Sequence, residues 1–181
     1  AIATAKRMGA IVFATDVRLA SKEQVESLGG KFLVVEGAEN LETEGGYAKE
    51  ASEDFKKKQE ELVKETLKKI DIVICTALIP GKKAPKIINE EMIAGMQSGS
   101  VIYDLAASQG GNTAFTKVDE VVDKNGVIIL GETNILNKLP TSASNLYAKN
   151  LFNFVINLYD KKNNKININM DDEIISKTLV K

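Results

Sequence analysis

An acidic side chain, Asp16, directly follows the apolar residues 10–15 (AIVFAT), and this placement gives it a candidate chemical role. A short apolar run, with Gly9 before it and polar residues after it, predicts a strand buried on both faces. In a doubly wound α/β fold, an acid at the carboxyl end of such a strand accepts hydrogen bonds from the ribose hydroxyls of a dinucleotide. A solvated acid that ends the strand is the alternative interpretation, because the sequence lacks the glycine-rich turn that accompanies a ribose-binding acid.

Other predicted strands also end at small or polar residues. Cofactors of open α/β sheets lie in the crevice outside the carboxyl ends of the strands, where small residues allow the backbone to approach them. The candidates are Thr76, Ala77 and Leu78 after residues 70–75, Asp104 and Leu105 at the end of residues 100–104, and Asn134 after residues 127–130. Asn134 is equally well explained as a turn residue. Cys75 is interpreted as a small buried apolar residue, since the chain has no His to activate its thiol.

The composition excludes several classes of function. The chain has 181 residues, a formal net charge of −1, one Cys and no His. A charge so near zero gives no electrostatic footprint for nucleic acid or an anionic membrane. The absence of His removes His-based triads and most zinc sites, so we expect no metal. A single Cys indicates a reducing compartment, and no apolar run approaches the ~20 residues that a membrane helix needs.

Strands and helices alternate along the first three quarters of the chain, which predicts a parallel, right-handed α/β sheet. Strands are predicted at residues 10–15, 31–35, 70–75, 100–104 and 127–130, and helices at residues 1–8, 21–28, 51–69 and 89–99. Residues 36–50 are rich in Gly and Glu, and a loop of this length is typical of function or disorder. The pattern then changes to a long amphipathic helix at residues 142–159. Two short elements come after it at 166–170 and 173–180, interpreted as strands outside the main sheet.

Several blocks of sequence together resemble the NAD(H)-binding domain I, in the alpha subunit, of proton-translocating nicotinamide nucleotide transhydrogenase, a family related to alanine dehydrogenase. The resemblance weakens only after about residue 160. The blocks are ATAKRMGAIVFATDVR (3–18), KEQVESLGGKF (22–32), EGGYAKE (44–50), TALIPGKKAPKII (76–88), GSVIYDLAASQGGN (99–112) and SASNLYAKNLFNF (142–154).

The resemblance implies a Rossmann-type doubly wound parallel sheet that lacks its first strand, over residues 1–137. Residues 138–181 would then form a long bridging helix and the C-terminal portion of another subdomain, which is the first subdomain in the family. In the family, the glycine turn precedes the residues that match the start of this chain. We therefore expect a missing N-terminal segment to complete the sheet, as a separate chain or as more of the same one.

The resemblance also assigns roles in NAD(H) binding. Asp16 would accept from both ribose hydroxyls and repel a 2′-phosphate, which selects NAD(H) over NADP(H). Val17 and Arg18 would flank the adenosine, and Asn134 would lie near the nicotinamide. Gly46, Tyr47 and Ala48 would belong to a mobile loop that closes over the nucleotide. We assign no catalytic residue, because the family's catalytic polar loop lies upstream of Ala1.

The activity that the resemblance implies is hydride transfer from NADH to NADP+, coupled to proton translocation. The implied partners are a second copy of the domain in a homodimer, an NADP(H)-binding domain III and a membrane domain II. The implied location of this soluble chain is the cytoplasmic face of a bacterial inner membrane or the mitochondrial matrix side.

Two alternatives remain open. An alanine-dehydrogenase-like amino-acid oxidoreductase is disfavoured by Ser108, because those relatives carry an acid just before the paired glycines. A non-catalytic nucleotide-binding or interaction module is compatible with the missing glycine turn.

Overall fold

The computed structural model of the chain describes residues 1–35, 53–79 and 81–180. They form two compact units, Ala1–Thr133 and Asn134–Lys181. The functional boundary expected at residue 137 stays a prediction. The predicted loop residues Gly46, Tyr47 and Ala48 lie outside the described residues.

The first unit alternates helices and strands in the predicted order. Its elements are α1 (Ile2–Arg7), β1 (Phe13–Ala14), α2 (Ser21–Ser27), β2 (Lys31–Phe32), α3 (Glu53–Leu67), β3 (Ile72–Cys75), α4 (Glu90–Ala94), β4 (Val101–Asp104), a 3-10 helix (Ala107–Gln109), β5 (Val121–Lys124) and β6 (Val127–Leu130). The five predicted strands all form, which confirms the α/β class. The α4 helix ends at Ala94, earlier than predicted, and its start is capped as expected: the Asn89 side chain accepts from the Met92 amide at 2.9 Å.

The strands form two separate sheets. Strand β1 pairs in parallel with β2, while the other four are ordered β3-β4-β6-β5. The β3–β4 and β4–β6 pairs are parallel, but β5 runs antiparallel to β6, so the larger sheet is mixed rather than all-parallel. Asn125 and Gly126, both with positive φ (55° and 82°), make the tight β5–β6 turn.

The hydrophobic core lies on one face of the four-stranded sheet. Side chains alternate along β4 and β6, so that Ile102, Val127 and Ile129 are fully buried while their neighbours are only half-buried. Met92 and Ile93 of α4 are each 1% exposed and cover these strands together with Leu67 of α3. Burying each of these large side chains contributes about 1.5–3 kcal/mol, so this face holds the larger sheet and its two helices together.

Helix α3 connects the core to the smaller sheet. The Gln59 side chain donates to Thr15 Oγ1 and to the Leu33 carbonyl, both at 3.1 Å, and accepts from the Val35 amide at 3.2 Å. Farther along the same helix, Leu67 enters the core of the larger sheet. The carboxyl ends of β1 and β2 are therefore fixed to α3 by one side chain.

Within the described ranges, β1 hydrogen-bonds only to β2, and β3 only to β4. The parallel pairs β1–β2 and β3–β4–β6 each have the neighbour order found within one half of a doubly wound sheet. Strands β1 and β2 are two residues each rather than the predicted six and five.

The second unit is built on a long helix. Its elements are a 3-10 helix (Ile135–Lys138), α5 (Pro140–Asn157), β7 (Tyr159–Asp160), β8 (Lys165–Ile166) and α6 (Glu173–Thr178). Helix α5 confirms the predicted amphipathic helix. The interpretation of residues 173–180 as a strand is wrong: the Asp172 carboxylate accepts from the Ile174 and Ile175 amides at 2.8 and 3.1 Å and starts a helix.

None of the helices in the described part of the chain combines the length and apolar character that a membrane crossing requires.

Gly131 provides a test of how tightly the β5–β6 hairpin is packed at its base. A Cβ atom there would lie 2.0 Å from the Lys117 carbonyl oxygen, a backbone atom that cannot move aside without breaking the hairpin. Gly131→Ala should therefore destabilise the chain by about 1–3 kcal/mol, the usual cost of overpacking. Gly95→Ala is the matched control, because its nearest neighbour is 3.5 Å away. Thermal melting should show a clear drop in Tm for the first variant alone; equal melting points would contradict the packing.

Candidate functional site

The carboxylate of Asp104, at the end of β4, is fully buried and organises the loop after it. Its Oδ1 accepts from the Ala106 amide at 3.0 Å. Its Oδ2 accepts from the Asn112 amide at 2.6 Å and from the Thr116 hydroxyl at 2.5 Å. A buried charge is stable only when its lone pairs are satisfied, and here the chain's own donors do so. The side chain has no accessible surface, so it acts on any ligand by fixing the loop and not by contact.

Asn112 joins this loop to the one that comes after β3. Its side-chain oxygen accepts from the Ala77 amide at 3.0 Å, and its side-chain nitrogen donates to the Ala77 and Pro85 carbonyls, both at 2.9 Å. Asn112 is fully buried. Its side-chain amide hydrogen-bonds both the N–H and the C=O of Ala77, as the backbone of a neighbouring strand would. The residues after the ends of β3 and β4 form a single hydrogen-bonded framework.

Lys86 closes the framework on its outer side. Its ammonium group donates to the carbonyls of Gly110 and Thr113, both at 2.7 Å. Gly111 lies inside, with φ of +75°, and a Cβ there would stand 2.7 Å from Asp104 Oδ2 and 2.5 Å from Thr116. Only glycine allows this close approach.

Asp16 lies beyond the end of β1 in a different environment. Arg18 Nε donates to its Oδ1 at 3.0 Å, Arg18 NH2 donates to its Oδ2 at 2.9 Å, and the Arg18 amide donates to Oδ1 at 2.9 Å. The Asp16 side chain remains 31% exposed and that of Arg18 44%. The Arg18 hydrogen bond, outweighing partial burial, holds the pKa of Asp16 below its ordinary value of 3.8, so the carboxylate is ionised at neutral pH.

Two other groups near the strand ends have raised pKa values. Burial, followed by the charge of Asp104, raises the pKa of the Cys75 thiol to about 12, and the predicted apolar role of Cys75 is confirmed. Tyr103 donates its hydroxyl to Glu132, and this hydrogen bond raises the pKa of Tyr103 to about 12. Both groups are protonated at neutral pH, and neither is a nucleophile.

The predicted site residues fall into three groups. Asp16, Val17 and Arg18 follow β1; Thr76, Ala77 and Leu78 follow β3, with Thr76 and Leu78 exposed; and Asp104 and Leu105 end β4. The structure joins the second and third groups, through Asn112 and through the Leu105 amide, which donates to the Cys75 carbonyl at 2.9 Å. Asp16 takes no part in that framework, and Asn134 belongs to the second unit.

The polar groups that a ligand could contact lie at the surface. Every buried side-chain nitrogen or oxygen among the described residues has a hydrogen-bond partner, so a ligand would use exposed groups. These are the Asp16 carboxylate, an acceptor for hydroxyl groups, and the Thr76 side chain and neighbouring backbone after β3. The described residues hold no group of three Cys, Asp or Glu suited to a metal ion.

The sequence did not indicate that the side chains of three residues hold the framework together by hydrogen bonds: Asn112, Thr116 and Lys86. The paired glycines before Asn112 did indicate close backbone passage. Two Thr residues at positions 113 and 116, nine and twelve residues after a strand-end acid, are the signal that could have identified the buried carboxylate.

Comparisons with known proteins agree with this geometry. The family model for the alanine dehydrogenase/PNT C-terminal domain matches residues 1–181. The first portion of the NAD(P) transhydrogenase alpha subunit of Rhodospirillum rubrum is 53% identical over 182 residues, covering 99% of this chain and 47% of that protein. The solved transhydrogenase of Sinorhizobium meliloti aligns with a TM-score of 0.72 at 43% identity, covering 97% of this chain and 45% of the other.

Alanine dehydrogenase is a more distant relative. Alanine dehydrogenase 1 of Staphylococcus aureus (strain Mu50) is 36% identical over 101 residues, which cover 54% of this chain and 27% of that protein. The chain spans about half the length of the curated transhydrogenase relatives that it matches. On the match across its whole length, the chain belongs to the alanine dehydrogenase/PNT C-terminal domain family.

Proposed function

We propose that this chain is the NAD(H)-binding component of a proton-translocating transhydrogenase and presents NADH for hydride transfer to NADP+. The observation that carries the proposal is the accessible, ionised Asp16 carboxylate beyond the end of a parallel strand, in a chain 53% identical to a transhydrogenase alpha subunit. At that position an acid accepts hydrogen bonds from ribose hydroxyls.

In this reaction the chain orients the bound nucleotide and supplies no acid–base catalyst. The nicotinamide rings of the two nucleotides exchange a hydride directly when they are held face to face, and the protein supplies orientation. Asp16 anchors the adenosine ribose, with Val17 and Arg18 beside it. Thr76, Ala77 and Leu78 offer backbone and small side chains to the middle of the nucleotide, on the loop that Asn112 holds rigid.

The proposed partners complete both the sheet and the reaction. The proposed N-terminal segment supplies a parallel strand that pairs with β1 and β3, each of which hydrogen-bonds to one neighbouring strand within the described residues. A homodimer, an NADP(H)-binding domain III and a membrane domain II supply the acceptor nucleotide and the proton path. The chain would then work at the cytoplasmic face of a bacterial inner membrane or on the mitochondrial matrix side.

An isotope experiment tests the function. Full-length chain combined with its NADP(H)-binding and membrane partners receives NADH deuterated on the transferred position together with NADP+. Direct transfer predicts that mass spectrometry finds the deuterium in NADPH and none in water. Deuterium-free NADPH would contradict the proposal. NADH consumption with pyruvate and ammonium would instead support an alanine-dehydrogenase-like activity, which Ser108 disfavours. NADH binding without transfer to either acceptor would support a non-catalytic nucleotide-binding module.

Replacement of the proposed ribose ligand should weaken binding. Asp16→Ala in the full-length chain removes a charged acceptor, which is worth about 1–3 kcal/mol and corresponds to roughly 5- to 150-fold in Kd for NADH. Fluorescence titration with NADH measures the change. Glu26→Ala is the control, because it removes an exposed acid on α2 of the same unit. Equal affinities for Asp16→Ala and the wild type would remove Asp16 from the site.

Replacement of the buried acid Asp104 should lower stability as well as nucleotide affinity, unlike replacement of Asp16. Asp104→Asn replaces one acceptor oxygen by an NH2 group, which faces either the Ala106 amide at the Oδ1 position or the Asn112 amide and the Thr116 hydroxyl at the Oδ2 position, so that a hydrogen-bond acceptor is lost in both orientations. We expect a loss of stability of about 1–3 kcal/mol and weaker binding of NADH and NADPH by the same factor, since the loop is loosened for both. Thermal melting and the two titrations measure this. Thr116→Ser keeps the hydroxyl and is the conservative control; an Asp104→Asn variant of wild-type stability would contradict the supporting role.

A further inference from the structure

The turn that follows the 3-10 helix is bonded to a negative charge through its amides and to a positive charge through its carbonyls. The amides of Asn112 and Thr113 donate to Asp104 Oδ2 at 2.6 and 3.3 Å. The ammonium group of Lys86 donates to the carbonyls of Gly110 and Thr113, both at 2.7 Å. One short turn therefore directs N–H groups at a carboxylate and C=O groups at an ammonium group.

The hydrogen-bond donors around Asp104 do not neutralise its charge. They are three backbone amides and the Thr116 hydroxyl, all of them uncharged. Because amides can only donate, these contacts are those of an ionised carboxylate. Buried charges in proteins are paired with an opposite charge as well as hydrogen-bonded. Lys86 brings that opposite charge to the same turn, where it acts through the oriented peptide groups.

The loops around this pair carry no acid. Residues 76–89 and 105–117, which follow β3 and β4, contain four Lys and no Asp or Glu. The four are Lys82, Lys83, Lys86 and Lys117. Lys117 pairs with Glu120 at 3.4 Å, and Lys82 and Lys83 are exposed, so that water and salt screen their charges. Lys86 differs from them because two hydrogen bonds fix its ammonium group to the framework.

The proposed NAD(H) site brings the nicotinamide ring towards these charges. A doubly wound sheet binds one mononucleotide on each of its halves. Asp16, after β1, takes the adenosine half, so the nicotinamide half lies over the carboxyl ends of β3 and β4. The oxidised ring is positively charged and the reduced ring is neutral. A fixed charge near the ring therefore changes the affinity for one redox state relative to the other.

We propose that Asp104 and Lys86 form a charge pair that sets the relative affinity of this site for NADH and NAD+. The inference rests on the proposed NAD(H) site and extends it. The carboxylate stabilises the charged ring of NAD+, the ammonium group opposes it, and together they largely cancel. Asp104 has no accessible surface, so this effect is exerted at a distance and is separate from its role in fixing the loop.

The ratio of two dissociation constants, Kd for NAD+ divided by Kd for NADH, separates charge from position. Both nucleotides carry the same riboses and pyrophosphate, so a variant that only loosens the loop weakens them equally. Lys86→Met should lower the ratio by about threefold or more, and Asp104→Asn should raise it by a similar factor. The double variant should return close to the wild-type ratio. A tenfold change corresponds to about 30 mV in the reduction potential of the bound nucleotide.

Two control variants accompany these. Lys86→Arg keeps the charge and should keep the ratio. Lys68→Met removes a lysine just before β3, at the other end of that strand, which donates to Glu65 at 2.5 Å; it should leave both constants unchanged. Fluorescence titration of the full-length chain measures NADH binding, and displacement of NADH measures NAD+ binding. Thermal melting checks that each variant is folded, and if Asp104→Asn is not, the two Lys86 variants decide.

The outcomes distinguish this proposal from the proposed function. Equal losses of NADH and NAD+ affinity in Lys86→Met overturn the charge pair and leave the nucleotide site standing. Shifts of the ratio in the same direction for Lys86→Met and Asp104→Asn do so too, as does a ratio lowered equally by Lys86→Arg and Lys86→Met. A folded wild-type chain that binds neither NADH nor NAD+ overturns both proposals.

Discussion

The buried carboxylate of Asp104 is the constraint on which the larger sheet's loop edge depends. Taking a charged carboxylate out of water costs several kcal/mol, and only a complete set of donors offsets that cost. The set comes from the backbone and side chains of the next twelve residues, ending at Thr116. The observed loop arrangement satisfies the carboxylate, and Gly111 is the residue that lets the backbone come close enough.

This constraint extends beyond its own loop. The backbone of Asn112 is held by Asp104, and its side chain in turn fixes Ala77 and Pro85. The ends of β3 and β4 consequently form a rigid surface made largely of backbone atoms. The end of β1 is fixed by a different device, Gln59 of α3, whose side chain hydrogen-bonds at Thr15 and Leu33. One helix thus ties together two sheets that share no strand-to-strand bonds within the described residues.

Local patterns predicted most of the elements and little of the long-range pairing. The apolar runs identified the strands, and Asn89 identified the start of α4, because both signals are local. The antiparallel position of β5 depends on the Asn125–Gly126 turn and on pairing with β6, which an apolar run does not encode. Residues 173–180 are interpreted from the sequence as a short strand, but the Asp172 cap, combined with burial of Ile175, favours a helix. In each case a local signal, the Asn125–Gly126 turn or the Asp172 cap, acts together with long-range contacts, the pairing with β6 or the burial of Ile175.

Asp16 and Asp104 show why the candidate site was only partly predictable. Both are acids at the ends of parallel strands, and their positions in the sequence suggest the same role for both. Their hydrogen-bond donors distinguish them. After Asp104 the chain returns with backbone amides and a hydroxyl that enclose the carboxylate completely, so that its acceptors are permanently committed. After Asp16 the side-chain donors come from Arg18, a long and partly exposed side chain. Two acids with the same position relative to a strand end therefore reach opposite environments, because the residues that follow each strand supply different hydrogen-bond donors.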